Sequence, residues 1–393
     1  MFGLFDSIEG IASSVLEHVA DAVGGPASRL RDGTEHQGVQ LPRDLYAHRE
    51  AQTEWWYYTG HLATTTGVEF GFEFVFFKRR TDLDKFGVVP LRLLGNPLYL
   101  AHFAVTEPGR QSFRYEHRKT TGKPWELTAE ASEAAYRLQL GSWRITERDG
   151  QHQLYATLGD DVIFRANLRA TKPPALNGAD GVGVSFKDTG EASRYFSLTS
   201  LEATGTITWH GRTDDFGGKA WMDREFGTWR TTDNQKGWDW FAIQLENDSE
   251  LMVYLLKNAE GVYTGFSAGT FVDQTGRNRH LNHDDFQLTA KTVWTSPHTN
   301  AIYPSSWELS VPSLGLELSV TPVMADQELD TRGSTMIIYW EGACVVAGSQ
   351  NGAPVHGKAY VELVGYDRSH EQPSLTAFVL GNAVEKQWRS LFG

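Results

Sequence analysis

Apolar residues at every second position constrain this chain most, because that period matches the alternation of side chains along a β-strand. Residues 68–76 place valine or phenylalanine at the even positions, while Glu69, Gly71 and Glu73 take the other face. Comparable runs recur near residues 54–62, 98–106, 152–158, 194–209, 218–226, 238–246, 251–257, 315–322, 336–346 and 358–366. No stretch of helical period separates them, which argues against α/β folds. The sequence therefore predicts an all-β protein built from antiparallel barrels or sandwiches.

The length of the chain predicts two domains. Its 393 residues, 40% of them hydrophobic, are enough for two cores of ordinary size. Residues 55–62 also align with residues 238–245, and each segment is followed by a short turn and an apolar strand. We therefore expect two related β-barrel domains, at residues 35–230 and 231–393, after an N-terminal segment at residues 1–34. Residues 171–190, which are rich in proline and glycine, are predicted to form a long loop.

The N-terminal segment carries the one helical pattern of the chain. Residues 2–23 place apolar side chains on one face and acids on the other, and Gly24 and Gly25 follow as a stop. This pattern predicts an amphipathic helix. Its polar face lacks the lysines and arginines of most membrane-surface helices, so we expect it to dock on the protein's own barrel. The alternative is peripheral membrane contact through residues 2–23. In either case the helix could also act as a lid over an apolar opening.

Charge and cysteine content limit the partners and the compartment. The chain has 36 Lys and Arg against 49 Asp and Glu, a formal net charge of -13 that disfavours a nucleic-acid partner. Its single cysteine, Cys344, excludes an internal disulfide and favours a reducing compartment, so we expect a cytoplasmic protein. Neither an apolar run of spanning length nor a basic signal-peptide start is present. Cys344 itself lies in an apolar run and is predicted to be buried in a strand of the second barrel.

Three short motifs resemble known sites but lack the required context. Residues 265–269 match the nucleophile elbow, but a strand pattern rather than a helix follows them. Residues 352–358 have the spacing of a phosphate loop without its Ser or Thr. His280 and His283 stand beside two aspartates, which is weak support for an ion site. We therefore predict no metal and no cofactor.

Aromatic residues and carboxylates cluster together in residues 54–58, 220–227, 237–241 and 338–342. On a strand, Trp221, Asp223 and Glu225 project to the same face. Desolvation by tryptophan and a nearby like charge both raise the pKa of a carboxyl, which keeps it protonated at neutral pH. We therefore predict Asp223 and Glu225 as catalytic residues, with Asp223 as the acid.

The aromatic residues around these acids are predicted to line the pocket. The expected substrate-binding residues are Trp56, Tyr58, His102, Tyr195, Trp221, Trp238, Trp240, Tyr339 and Trp340. His102 is out of phase with the apolar residues of its strand, so it is either an acid–base group or a hydrogen-bonded inner histidine. For Glu54, Asp239 and Glu341 we favour a structural role as acceptors for neighbouring Trp and Tyr side chains.

The same segments carry a family resemblance that runs from about residue 45 to residue 370. The chain resembles the AttH-like group of the carotenoid 1,2-hydratase (hydroxyneurosporene synthase) superfamily in an ordered series of motifs, at residues 54–57, 172–178, 193–198, 221–225, 237–241 and 339–342. The resemblance implies two lipocalin-like β-barrels with a pocket at or near their junction. It also implies chemistry on apolar isoprenoids and polyenes, since relatives include carotenoid and isoflavonoid hydratases and cyclases that guide Diels–Alder reactions.

In the hydratases an aromatic-x-Asp segment looks like the acid site, and residues 221–223 match it with Trp221 in place of the usual tyrosine. The His-x-Trp feature of the carotenoid enzymes has no clear counterpart. We expect a cofactor-independent enzyme that acts on a hydrophobic isoprenoid- or polyene-like molecule, of the hydratase or lyase type, with a protonated carboxyl as acid. The alternatives are a cyclase that guides its substrate by shape and a non-catalytic carrier of a lipophilic ligand.

Overall fold

The structure is a computed structural model that describes residues 37–82, 84–86, 89–93, 95–179, 181–188, 191–228 and 235–367, together with Leu16 and Val19. The helix predicted at residues 2–23 lies outside the described residues except for these two, which are both helical. No helix within the described ranges is long and apolar enough to cross a membrane. The remaining helical structure there consists of short 3-10 turns at Arg43–Leu45, Leu91–Leu93, Pro108–Arg110, His283–Asp285 and Pro312–Leu314.

Strands make up most of the described chain, and the all-β prediction is confirmed. The first fifteen strands are β1 (Thr53–Thr64), β2 (Glu69–Arg79), β3 (Lys85–Phe86), β4 (Val89–Pro90), β5 (Leu98–Glu107), β6 (Ser112–Thr120), β7 (Ala129–Ala131), β8 (Arg137–Leu140), β9 (Trp143–Arg148), β10 (Gln151–Leu158), β11 (Val162–Ala170), β12 (Ala175–Leu176), β13 (Val184–Asp188), β14 (Glu191–Trp209) and β15 (Arg212–Gly227). The other ten are β16 (Gln235–Leu245), β17 (Glu250–Asn258), β18 (Ala268–Val272), β19 (Asn278–Asn282), β20 (Gln287–Thr295), β21 (Ile302–Val311), β22 (Leu316–Pro322), β23 (Glu328–Asp330), β24 (Ile338–Gln350) and β25 (Ala353–Val364).

The first sheet is antiparallel and has the strand order β6-β5-β2-β1-β15-β14-β11-β10-β9-β8-β7, with β12 and β13 paired to β14. It curls into a nearly closed barrel. The alternation in β2 sends its even-numbered phenylalanines inward, where Phe74 packs edge-on against Phe103 and Trp143. The predicted period-two pattern therefore builds the core of this barrel.

The second sheet has the order β19-β18-β17-β16-β25-β24-β22-β21-β20, with β23 paired to β24, and forms a half-barrel. Its core contains Phe241, Trp307 and Trp340. Cys344 lies in β24 within this core and is fully buried, so the prediction for this residue is confirmed. The two segments that align in the sequence form β1 and β16, which have equivalent positions. Each pairs with the strand that follows it and with the strand of its sheet that comes last along the chain.

The two sheets pack against each other through strands near the middle of each, chiefly β1, β2 and β14 against β25, β24 and β16. Trp56 and Tyr58 of β1 point into the first barrel, whereas Tyr57 points toward the second sheet. We call the buried layer between the sheets the inter-sheet interface; its largest side chains are those of Tyr57, Tyr195, Trp221, Trp240, Tyr254 and Tyr360. Strands at this interface are thus buried on both faces.

The structure has strands beyond those predicted from the sequence, among them β6, β11 and β21. Residues 171–190 are not one long loop, because β12 and β13 pair with the long strand β14. Strand β20 was not predicted, since it is exposed along nearly all of its length and lacks apolar alternation. The two sheets are separated between Gly227 and Gln235. The domain boundary at residue 231 itself stays a prediction.

Candidate active site

Asp223 lies on β15 at the inter-sheet interface and is almost fully buried. Its Oδ1 accepts hydrogen bonds from the Ser197 hydroxyl at 2.5 Å and from the Trp221 indole N–H at 2.7 Å. Its Oδ2 accepts a hydrogen bond from the Tyr195 hydroxyl. Strand register explains this convergence, because Ser197 faces Asp223 across the β14–β15 ladder and Tyr195 lies two residues away on the same face.

The pKa of Asp223 is set by opposing effects. Burial raises it, the three hydrogen-bond donors lower it, and the charge of Glu225 raises it; the resulting pKa is about 6. Asp223 therefore keeps its proton at a pH where an exposed aspartate has lost it. A carboxyl with this pKa can donate a proton near neutral pH and take one back afterwards.

Glu225 occupies the same strand face but has a different environment. Its carboxylate accepts a hydrogen bond from Ser193 and forms an ion pair with Lys187 Nζ at 2.6 Å. Lys187 also lies over the rings of Tyr195 and Tyr254, at 5.4 and 4.9 Å from their centroids. Burial disfavours the charged lysine, but Glu225 outweighs that effect and the pKa of Lys187 is raised. The sequence did not single out Lys187, because it stands in the segment predicted as a loop.

Aromatic side chains from both sheets enclose the acid. The Trp240 indole N–H donates to the Tyr195 hydroxyl at 3.1 Å, which connects the second sheet to the residue that bonds Asp223. The Trp240 ring meets Tyr57 edge-on at 5.1 Å and Trp221 edge-on at 6.3 Å. Aromatic faces arranged in this way can stabilise a positive charge that develops near them.

A groove between the sheets reaches Trp221, which donates to Asp223, although Asp223 itself does not line it. Its wider part has a volume of about 240 Å³ and is bordered by His61, Gly217, Gln244 and Lys358 among others. A narrow inner recess continues to Trp221 and Tyr360. Trp221 therefore lines the recess, and its indole N–H donates a hydrogen bond to Asp223. Clefts between domains are common places for small-molecule sites.

Three other predicted site residues lie elsewhere at the contact between the sheets. His102 Nδ1 is 2.7 Å from the Tyr339 hydroxyl, and His102 Nε2 is 3.2 Å from the Ser334 hydroxyl. Burial lowers the pKa of His102 well below its ordinary value, so this histidine is neutral. Trp238 donates its indole N–H to Glu362 at 2.9 Å.

The structure does not bring the remaining three predicted residues to the interface. The Trp56 indole N–H donates to the Leu45 carbonyl, and the Tyr58 hydroxyl bonds Tyr136 and His152, all within the first barrel. Trp340 donates to the Ala325 carbonyl within the second sheet's core. These three side chains are part of the two barrel cores, and they do not line the groove.

The weak motifs acquire no chemical role. Residues 268–272 form strand β18, so no helix follows the nucleophile-like serine at position 267. In the described part of the chain, no group of three His, Cys, Asp or Glu side chains is arranged to hold a metal ion.

Comparison with known proteins places these features in context. A family model described as AttH-like matches residues 32–366. The crystal structure of a candidate AttH protein from Nitrosomonas europaea is similar over 85% of this chain and 98% of that chain, with 28% identity and a TM-score of 0.73. Kievitone hydratase from Nectria haematococca shares the fold, with 16% identity, coverage of 86% and 97%, and a TM-score of 0.64. No curated protein matches the chain significantly.

Proposed function

The chain belongs to the AttH-like family, and on that premise we propose that it is an enzyme of the hydratase or lyase type with its site at the inter-sheet interface. The observation that carries the proposal is the buried carboxyl of Asp223, whose pKa is raised to about 6 beside aromatic rings from both sheets. The same fold in kievitone hydratase is consistent with this chemistry. The substrate class is a hydrophobic small molecule with an isoprenoid- or polyene-like double bond.

The proposed reaction is the addition of water to that double bond. Asp223 transfers its proton to one alkene carbon, and the π electrons form the new C–H bond, which leaves a carbocation on the other carbon. The rings of Trp221, Trp240 and Tyr195 stabilise this cation. A water molecule then adds to the cation, and the proton it loses returns to the Asp223 carboxylate. Elimination of water is the same path in reverse.

Glu225 has a supporting role in this proposal. Its carboxylate is engaged by Lys187 in an ion pair, so we assign the proton transfer on this strand face to Asp223. The negative charge of Glu225 also favours the protonated form of Asp223. Trp238 and His102 remain candidate ligand-binding residues at the far end of the contact between the sheets.

The test uses kievitone and a linear carotene as probes, with mass spectrometry to detect a product heavier by one water. Asp223→Asn has nearly the same shape but cannot donate the proton, so turnover should fall by about 10²-fold or more while probe binding is retained. The matched control is Asp215→Asn, because Asp215 lies on the same strand but is exposed. Full activity of Asp223→Asn would favour a cyclase that works by shape, and tight binding without any turnover by the wild type would favour a carrier.

A further inference from the structure

Two buried glutamates at the contact between the sheets have carboxylate oxygens without a hydrogen-bond partner among the described residues. Glu73 on β2 is fully buried, and neither of its oxygens has a partner. Glu341 on β24 is also fully buried; its Oε1 accepts a hydrogen bond from the Tyr57 hydroxyl at 2.5 Å, and its Oε2 has none. Native proteins seldom leave buried polar atoms unsatisfied, because such an atom has lost its hydrogen bonds to water without gaining others.

These glutamates face each other across the two sheets. At Gly71, two residues before Glu73, an added Cβ would lie 2.9 Å from the Ala343 Cβ, so β2 and β24 approach closely there. Glu341 lies two residues before Ala343 and therefore on the same face of β24. Glu362 on β25 is the third member; it is half-buried and accepts the Trp238 indole N–H. We call Glu73, Glu341 and Glu362 the inter-sheet glutamates.

No lysine or arginine in the described part of the chain pairs with the inter-sheet glutamates. Burial raises the pKa of Glu73 and Glu341 well above the ordinary value; the charge of Glu362 adds to this effect for both, and that of Glu73 adds to it for Glu341. Burial raises the pKa of Glu362 to about 7, with Asp223 adding to the effect. The other titratable groups that face the inter-sheet glutamates are Tyr57, Asp223, Tyr339 and Tyr360. Burial keeps Tyr339 and Tyr360 neutral. His102 is hydrogen-bonded to Tyr339.

We propose that the inter-sheet glutamates bind the ammonium group of an organic amine that has an apolar body. The unpartnered oxygens, two on Glu73 and one on Glu341, match the N–H donors of a primary ammonium in number and charge. The Tyr57 hydroxyl and the Trp238 indole N–H donate to Glu341 and Glu362, so these two aromatic side chains lie beside the carboxyls and supply apolar surface there. Half-buried Glu362 and Trp238 form the outer edge of the site. This site is distinct from Asp223 and does not depend on the reaction proposed for it.

The test is calorimetric titration of the full chain with benzylammonium slightly below neutral pH, in two buffers of different ionisation enthalpy. The cation requires ionised carboxylates, so binding should release protons to the buffer. Benzyl alcohol, a neutral probe of the same shape, should bind at least ~10-fold more weakly. Glu73→Gln and Glu341→Gln should each weaken benzylammonium binding by a similar factor, while Glu317→Gln on the exposed face of β22 should not.

Glutamine preserves the shape of a protonated glutamate, and circular dichroism would verify that both variants fold. Equal affinity for benzyl alcohol, or unchanged amine binding in both glutamine variants, would overturn the proposal, as would the absence of binding by the wild type. Asp223→Asn keeps all three inter-sheet glutamates, so it should retain amine binding while it loses alkene turnover, and failure of the alkene chemistry and failure of this site are separate results.

Discussion

The Trp221 indole N–H and Asp223 Oδ1 are 2.7 Å apart, although the two residues lie on one strand with a single residue between them. Strand alternation places both side chains on the face that meets the second sheet. The indole has two effects on the acid, since its ring excludes water from the carboxyl while its N–H stabilises the carboxylate. The pKa of about 6 reflects this balance, with burial as the larger effect.

Tyr195→Phe should raise the pKa of Asp223, because it removes the hydroxyl that donates to Oδ2 and so destabilises the carboxylate. If Asp223 acts as the acid, hydration should then persist to higher pH than in the wild type. The measurement is the pH dependence of turnover, or of the Asp223 carboxyl resonance in labelled protein. Tyr155→Phe on β10, outside the interface, is the control and should leave the profile unchanged. A profile that moves to lower pH would contradict the assignment.

Arg224→Met should destabilise the protein strongly, in contrast to substitution of its neighbour Asp223. Arg224 and Glu54 form an ion pair in which both side chains are fully buried, and Lys78 also pairs with Glu54 at 2.8 Å. Burial opposes ionisation of Glu54, but the two cations outweigh it and lower its pKa. Removal of Arg224 breaks one of the two buried ion pairs of Glu54, and breaking a buried pair costs about 3–5 kcal/mol.

Urea denaturation would measure this loss, with Arg212→Met on the exposed end of β15 as the control. A loss no larger than that of the control would mean that Glu54 is held by Lys78 alone.

The contribution of the inter-sheet glutamates to the free energy of unfolding should fall as the pH rises from about 4.5 to about 7. The inter-sheet glutamates have raised pKa values in the folded protein, so the unfolded chain loses their protons first and is favoured at higher pH. Below the ordinary pKa of glutamate both states are protonated and this loss is absent. For Glu362 alone the effect is about 2–3 kcal/mol.

Glu362→Gln should therefore gain stability relative to the wild type as the pH rises from about 4.5 to about 7, and be the more stable of the two at alkaline pH. Urea midpoints measured at several pH values would show this. An unchanged slope in the variant would mean that Glu362 is ionised in the folded protein.

Cys344 should resist a polar thiol reagent in the native protein and react once the protein is unfolded. Its side chain is fully buried in the second core, and burial raises the thiol pKa well above its ordinary value. Labelling should therefore follow the opening of the half-barrel. Rapid reaction of the folded protein would show that β24 is accessible from solvent.

The sequence alone determined the all-β class, the positions of eleven long strands and the residues that share a face on each of them. Alternation placed Trp221, Asp223 and Glu225 together, and it separated His102 from the apolar residues of β5, because these relations depend only on local backbone geometry. The aromatic-acid segments likewise marked the strands that meet at the inter-sheet interface, and the family resemblance indicated the same fold.

Only the tertiary structure decided which face of each strand meets the other sheet. On β1 the alternating residues Trp55, Trp56, Tyr57 and Tyr58 are all aromatic, so no polarity difference distinguishes the barrel core from the interface. For this reason Trp56 and Tyr58 were predicted as ligand contacts, whereas the structure places them in the first core.

The convergence of Glu73, Glu341 and Glu362 was equally invisible in the sequence. They stand on three strands, and β2 belongs to a different sheet from β24 and β25. When one sheet is considered by itself, a carboxyl at an alternating strand position predicts that this face of the strand is exposed to solvent. Packing of the second sheet over that face buries these acids and gives them their raised pKa values.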